Sequence, residues 1–300
     1  MMTDKYFFNI AEHVLKVSVP LGFPLMEYLP SFNDFLIDEL GEKSEALLSV
    51  LISLDEAPIS SESVKVLADS SPIWGDGFRF EESPSCYITS MRSQSDLSQV
   101  QMHSSKDFLN STIYLGDENN KHKLLISWFL MIVFGQGVLA YKTIMIHAST
   151  VERNLEEAYA FLGKSGTGKS THSQLWLKYL TDFTLLNDDN PVLRLFDTKD
   201  VFIYGTPWSG KTSCYRDLKI KLSGIIRLNQ SLFNRFELKK NTESLVVLLP
   251  SCTAIRWNKK LFNNMVDTVE SIVALIPVGI LNCDISEEAV NVSYKGIKNI

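Results

Sequence analysis

Cysteine is scarce and scattered in this 300-residue chain, where Cys86, Cys214, Cys252 and Cys283 form no C-x-x-C pair. That spacing excludes the usual structural zinc site and the dithiol redox motif. Four isolated thiols suit a reducing compartment, in which they pack as small hydrophobes. An excess of basic charge is also missing. The formal net charge is −6, so the electrostatic footprint of a nucleic-acid binder is absent and no such partner is expected. With 15 glycines, 10 prolines and no internal repeat, the chain is neither fibrous nor low-complexity. No secretion signal is expected, since Asp4, Lys5, Glu12 and His13 fall where one needs an unbroken apolar run. A cytoplasmic location is the expectation.

What the chain does have is apolar material, 45% of its residues against 21% charged. That is enough for one large core or two ordinary ones. The run Leu124–Tyr141 carries no charge and is about long enough to span a bilayer. The Gly135-Gln136-Gly137 break and the lack of a second span favour a buried helix ending near Gly135, and no membrane partner is expected. Before it, short apolar stretches at Phe7–Ile10, Val14–Val19, Cys86–Ser90 and Ser111–Leu115 alternate with polar turns. Leu47–Leu54 suits helix or strand. Residues 1–122 read as a strand-rich α+β accessory domain.

Residues 123–300 read as an α/β domain. Strands are expected at Lys142–His147, Ala158–Leu162, Phe183–Leu186, Val192–Phe196, Val201–Tyr204, Ile220–Leu228, Leu245–Leu249 and Ile276–Cys283. Helices are expected at Leu124–Phe134, Lys169–Leu180, Trp257–Ala274 and Ser286–Val290. Between the second strand and its helix lies Gly163-Lys164-Ser165-Gly166-Thr167-Gly168-Lys169-Ser170, which fits G-x-x-x-x-G-K-[ST] at every fixed position. Glycines let successive backbone N–H groups wrap a β-phosphate, and the following helix adds the positive end of its dipole. Lys169 would neutralise β- and γ-phosphate charge and the Ser170 hydroxyl would ligate Mg²⁺, with Thr171 next in the cradle. ATP with Mg²⁺ is the expected cofactor.

Such a loop needs a carboxylate for its metal. Asp188 and Asp189, in Leu186-Asn187-Asp188-Asp189-Asn190-Pro191, follow the next strand, at the edge where α/β sheets place ligands. One would serve Mg²⁺ and the other would take a proton from an attacking hydroxyl. The same run also suits a local Asx turn. His147 lies at the end of the strand before the loop strand, as a structural or a catalytic imidazole. Gly205-Thr206-Pro207-Trp208-Ser209-Gly210-Lys211 is either a plain loop or a device that sets Lys211, with Arg216 behind it, over phosphate. Arg227 and Arg235 are weaker candidates for that task.

An N-K-x-D guanine motif, an ABC-type acid spacing and the eukaryotic H-R-D are all absent. Ile146-His147-Ala148-Ser149, Gly163–Ser170 and Leu186–Asp189 together resemble the catalytic core of the HPr kinase/phosphorylase family, which is related to ATP-dependent phosphoenolpyruvate carboxykinase. The resemblance covers about residues 140–300. It implies an HPr-kinase-like P-loop core that moves the γ-phosphoryl group of ATP to a serine hydroxyl, with Asp188 as base, Asp189 and Ser170 at the metal and His147 beside them. It also implies self-association. Thr171 stands where that family usually carries an acidic residue, and its glycine- and arginine-rich segment has no counterpart here. The chain therefore looks most like divergent members, including those that phosphorylate ribosomal peptide natural products, and Gly205–Lys211 resembles theirs. The expected acceptor is a protein, peptide or small molecule. A nucleotide-gated binding module, or an ATPase without an acceptor, is the competing expectation.

Overall fold

The computed structural model describes residues 2–38, 45–59, 63–71, 77–92, 99–116, 123–210 and 212–298. The chain divides into two compact units, Met1–Gly137 with Ile255–Asn258, and Val138–Ala254 with Lys259–Ile300.

The first unit opens with a hairpin of β1 (Thr3–Ile10) and β2 (His13–Pro20), followed by α1 (Leu25–Tyr28). Then come β3 (Leu36–Ile37), β4 (Leu48–Ser53), β5 (Lys65–Ala68), β6 (Phe78–Glu82), β7 (Cys86–Arg92), β8 (Gln99–Ser105) and β9 (Asn110–Tyr114). Among the described residues these nine strands form one sheet in the order β3-β1-β2-β4-β9-β8-β7-β6-β5. Strict alternation explains it: in β2, Leu15, Val17 and Val19 are buried while Lys16 and Ser18 face outward. Leu47–Leu54, open to either reading in sequence, is strand. The apolar run begins as α2 (Lys123–Gly137), whose Leu125, Ile126, Phe129, Leu130, Val133 and Phe134 are buried. It packs on β4, β8 and β9. With the 3₁₀ turn Val138–Tyr141 it is long and apolar enough to cross a membrane, and 61% of it is buried within the protein.

The second unit contains β10 (Thr143–Met145), β11 (Ala148–Arg153), β12 (Glu157–Leu162), α3 (Lys169–Tyr179), β13 (Phe183–Asp189), β14 (Val192–Leu195), β15 (Val201–Tyr204) and β16 (Lys219–Gln230). It ends with β17 (Arg235–Lys239), α4 (Thr242–Leu248), α5 (Lys259–Val273), β18 (Val278–Cys283) and α6 (Glu287–Lys298). Its strands run β10-β14-β15-β16-β12-β11-β13, with β18 on β16 and β17 on β18. Among the described residues its parallel neighbours are β12–β16 and β16–β18, and its other paired strands are antiparallel, so the sheet is mixed. The protein is thus mixed α/β, strand-rich, with two large sheets.

Several expectations change, beginning with α2, which runs through Gly135 to Gly137 instead of ending at that break. Leu245–Leu249 is not a strand but lies largely in α4, where Ser244, Val247 and Leu248 are buried at helical spacing. β11 was not expected as a strand, because Ser149, Thr150 and Glu152 break its apolar pattern. All three are buried and bonded: Ser173 Oγ donates to Ser149 Oγ (2.7 Å), Thr150 Oγ1 to Asn187 O (3.0 Å), and Arg216 pairs with Glu152 (3.1 Å). β17, unforeseen, covers β18.

α3 and α6 pack against each other and on this sheet. Trp176 of α3 is fully buried, its ring 5.0 Å from Phe161, 5.2 Å from Phe183 and 5.4 Å from Tyr294. Truncating a buried ring of that size costs about 3–5 kcal/mol, so this cluster anchors the helix that begins at Lys169.

Candidate active site

β12 runs through five consecutive buried residues to Leu162, and α3 starts at Lys169. The intervening loop turns on Gly166 and Gly168, whose φ of 81° and 95° lie in the left-handed region. Gly168 is the residue before α3 and supplies no side-chain cap. First-turn N–H groups of a helix have no intrahelical acceptor, so they are available to an anion. Ser170 and Thr171 are exposed on that turn. Thr167 closes the loop from within, its N–H and Oγ1 both donating to Lys164 O at 3.1 and 2.8 Å.

The ladder brings the other groups to this edge. Ala148 is paired with Leu162 on one side and with Asp189 on the other, and Ser149 with Asp188. His147 precedes β11, not the end of β10 as its sequence position suggested, and its N–H donates to Ser251 O at 2.7 Å. The imidazole bridges the site: Nδ1 lies 2.9 Å from Asp189 Oδ1, and Nε2 lies 3.0 Å from Lys169 Nζ. Lys169 Nζ also donates to Gly163 O at 3.1 Å. Burial pushes the Lys169 ammonium below its usual range and Arg227 adds to this, while Asp189 and Asp188 pull it back. A cation held in this balance between anions is suited to a phosphate.

Asp188 is 4% exposed. Its carbonyl accepts from Gly210 N at 2.6 Å, which ties the loop after β15 to the aspartate pair. Asn187, fully buried, binds that loop further: Nδ2 donates to Trp208 O at 3.2 Å and to Thr206 O at 3.3 Å. Its Oδ1 accepts from Asn190 N at 3.1 Å, so the Asx turn read in sequence exists beside the aspartates rather than instead of them. Sequence reasoning gave Asn187 a place in that turn and none in fastening the loop after β15. A carboxamide next to an acidic pair and before proline is its only local signal.

The candidate cations fare differently. Lys211 lies outside the described residues. Arg216 is at the far end of β11, where it donates to Leu185 O (2.6 Å), Thr184 Oγ1 (2.9 Å) and Glu152 Oε1 (3.1 Å). Arg227, in register with Leu162, donates to Val247 O at 2.8 Å and is held below its usual pKa by burial. Arg235 pairs with Glu237 at 3.2 Å.

Among the described residues no three His, Cys, Asp or Glu side chains form an all-protein metal cluster. Mg²⁺ beside a nucleotide needs less, since one or two carboxylates and phosphate oxygens complete its shell. The exposed Ser170 hydroxyl and half-buried Asp189 suit that role.

No protein-family model matches the chain. No curated protein matches it either. Among solved structures, the Hpr(Ser) kinase/phosphatase from Coxiella burnetii is similar over 50% of this chain and 94% of that one, at 11% identity and a TM-score of 0.30. The likeness is weak and concerns the fold alone.

Proposed function

We propose that the second unit is an ATP-dependent kinase that transfers the γ-phosphoryl group to a hydroxyl of a protein, peptide or small molecule, as the sequence resemblance to the HPr kinase/phosphorylase core implies. One observation carries the reading. The continuous contact from Lys169 through His147 to Asp189, with Asp188 buried beside it, lies at the uncapped start of α3.

In this reading the loop Gly163–Gly168 and the first turn of α3, including Thr171, hold the β-phosphate through backbone N–H groups. Lys169 exchanges its His147 and Gly163 partners for phosphate oxygens. Mg²⁺, held by Ser170 and Asp189, would supply charge neutralisation on the β- and γ-oxygens. Asp188 takes the proton of the acceptor hydroxyl as its oxygen bonds to the γ-phosphorus. The bond to the β–γ bridging oxygen breaks, and ADP leaves with that electron pair. His147 keeps Asp189 aimed through Nδ1–H.

The test is transfer from γ-labelled ATP with Mg²⁺ into a cell extract, comparing wild type with Asp188→Asn. A proton acceptor of this kind contributes about 10²–10⁴-fold, so labelling should drop by at least about 100-fold while ATP still binds. Undiminished transfer by the variant would remove Asp188 from the chemistry. Release of free phosphate without labelled product, dependent on Asp188, would replace the kinase by an ATPase.

A further inference from the structure

An apolar edge of the second unit takes no part in the chemistry above. Leu232 and Phe233, in the turn after β16, are 87% and 78% exposed, and Ile285, in the turn after β18, is 77% exposed. The two turns are stitched together. Ser231 N donates to Cys283 O at 2.9 Å, and Asp284 N to Asn234 Oδ1 at 3.0 Å. Three large apolar side chains therefore share one solvent-facing edge, which signals a ligand or partner. At its base, Asn229 Nδ2 donates to Asn282 Oδ1 at 3.3 Å, so paired carboxamides stand one residue before the ends of the two strands.

The position of this edge is informative. β16 and β18 run parallel with β12, so their final turns emerge at the same sheet edge as the Gly163–Gly168 loop. Gln230 Nε2 donates to Gly166 O at 3.3 Å, making the apolar edge continuous with the loop. Phe233 is three residues on, within about 10 Å of chain at ~3.3 Å per residue. The acidic groups lie on the opposite side of β12, on and beside β11 and β13. A nucleoside triphosphate has a direction. If its terminal phosphate meets Lys169, Asp188 and Asp189 on the β11–β13 side, its base leaves the loop on the β16–β18 side.

We infer that Leu232, Phe233 and Ile285 form the platform for the nucleobase of the bound nucleoside triphosphate, with Asn229 and Asn282 reaching the base edge. The inference rests on the nucleotide reading above and adds where and how the base is held. An aromatic face accepts any base by stacking, in accord with the lack of a guanine motif.

The experiment is calorimetric titration of wild type, Phe233→Ala and the double variant Leu232→Ala/Phe233→Ala, each with MgATP and with Mg²⁺ and inorganic tripolyphosphate. Both side chains are exposed, so the circular dichroism and Tm should not change. Loss of the stacking ring should weaken MgATP about 10-fold and leave tripolyphosphate unchanged. MgATP affinity that is insensitive to both variants overturns the platform alone. That includes the case in which the variants instead lower transfer to a polypeptide at saturating MgATP, which gives the edge to the acceptor. Absence of MgATP binding by wild type overturns the nucleotide reading and the platform with it.

Discussion

Arg216→Ala separates two roles for one cation, the phosphate clamp suggested by its place behind Lys211 and the structural tie that the fold gives it. The register puts Glu152 opposite Thr184, and Ala148 opposite Asp189. Four strand residues, roughly 13 Å, thus lie between the guanidinium's partners and the acidic pair. Removing Arg216 deletes three donor contacts, one of them to Glu152, whose side chain is 3% exposed. Breaking a buried pair from one side costs about 3–5 kcal/mol when nothing else compensates. Here Glu152 keeps the Thr184 hydroxyl and the Leu155 N–H, and the Arg216 side chain is 35% exposed. A loss of about 2–3 kcal/mol follows, or roughly 4–12 °C in Tm for a unit of this size. Thermal melts and MgATP titration of the same preparation decide the matter. Tm should fall while the ATP dissociation constant stays within about twofold. Arg216→Lys should recover part of the loss, since a lysine lacks the planar fork. An unchanged Tm with a tenfold loss in transfer or ATP affinity would refute this reasoning and restore Arg216 to the phosphate.

Two further expectations concern α3. His172 is buried, its Nε2 accepts from Trp176 Nε1 at 3.2 Å, and burial lowers its pKa to about 4. A histidine held neutral in the fold binds its proton only when unfolded between about pH 6.5 and 4. Its stabilisation is therefore complete above pH 6.5 and is lost as pH falls to 4, by roughly 3 kcal/mol. Urea midpoints for His172→Gln should show a shallower acid limb, and an identical limb would contradict the neutral assignment. Ser170→Ala should raise the Mg²⁺ concentration needed for half-maximal nucleotide binding, read by metal titration, and an unshifted midpoint would take Ser170 out of the metal shell.

The glycine loop was legible because its residue types answer a backbone demand. Gly166 and Gly168 adopt left-handed φ, and the apolar run Ala158–Leu162 is the end of a strand buried along its length. The position of Asp188 and Asp189 was legible too, as polar residues closing an apolar strand. β11 was not, because its buried polar residues satisfy one another across strands, and periodicity cannot see partners that distant. α4 was misread where the continuous apolar run Leu245–Leu249 imitates a strand, although burial at Ser244, Val247 and Leu248 follows a helical stripe. Arg216 illustrates a third limit. Sequence shows a cation near a turn, and only the register shows which end of the sheet it serves.

The row Leu162–Ala148–Asp189 has a wider meaning. Its spacing is set by main-chain pairing, about 4.8 Å from strand to strand, and not by any side chain. The sheet is a ruler on which the glycine-rich loop and the carboxylate are marks, with the imidazole one residue before β11. Backbone positions on this ruler keep their spacing whatever side chain they carry, so one frame is able to present different side chains at fixed intervals. The limit on such exchange is Asn187, whose buried amide fastens the loop from Thr206 to Trp208 to the ruler's acidic end.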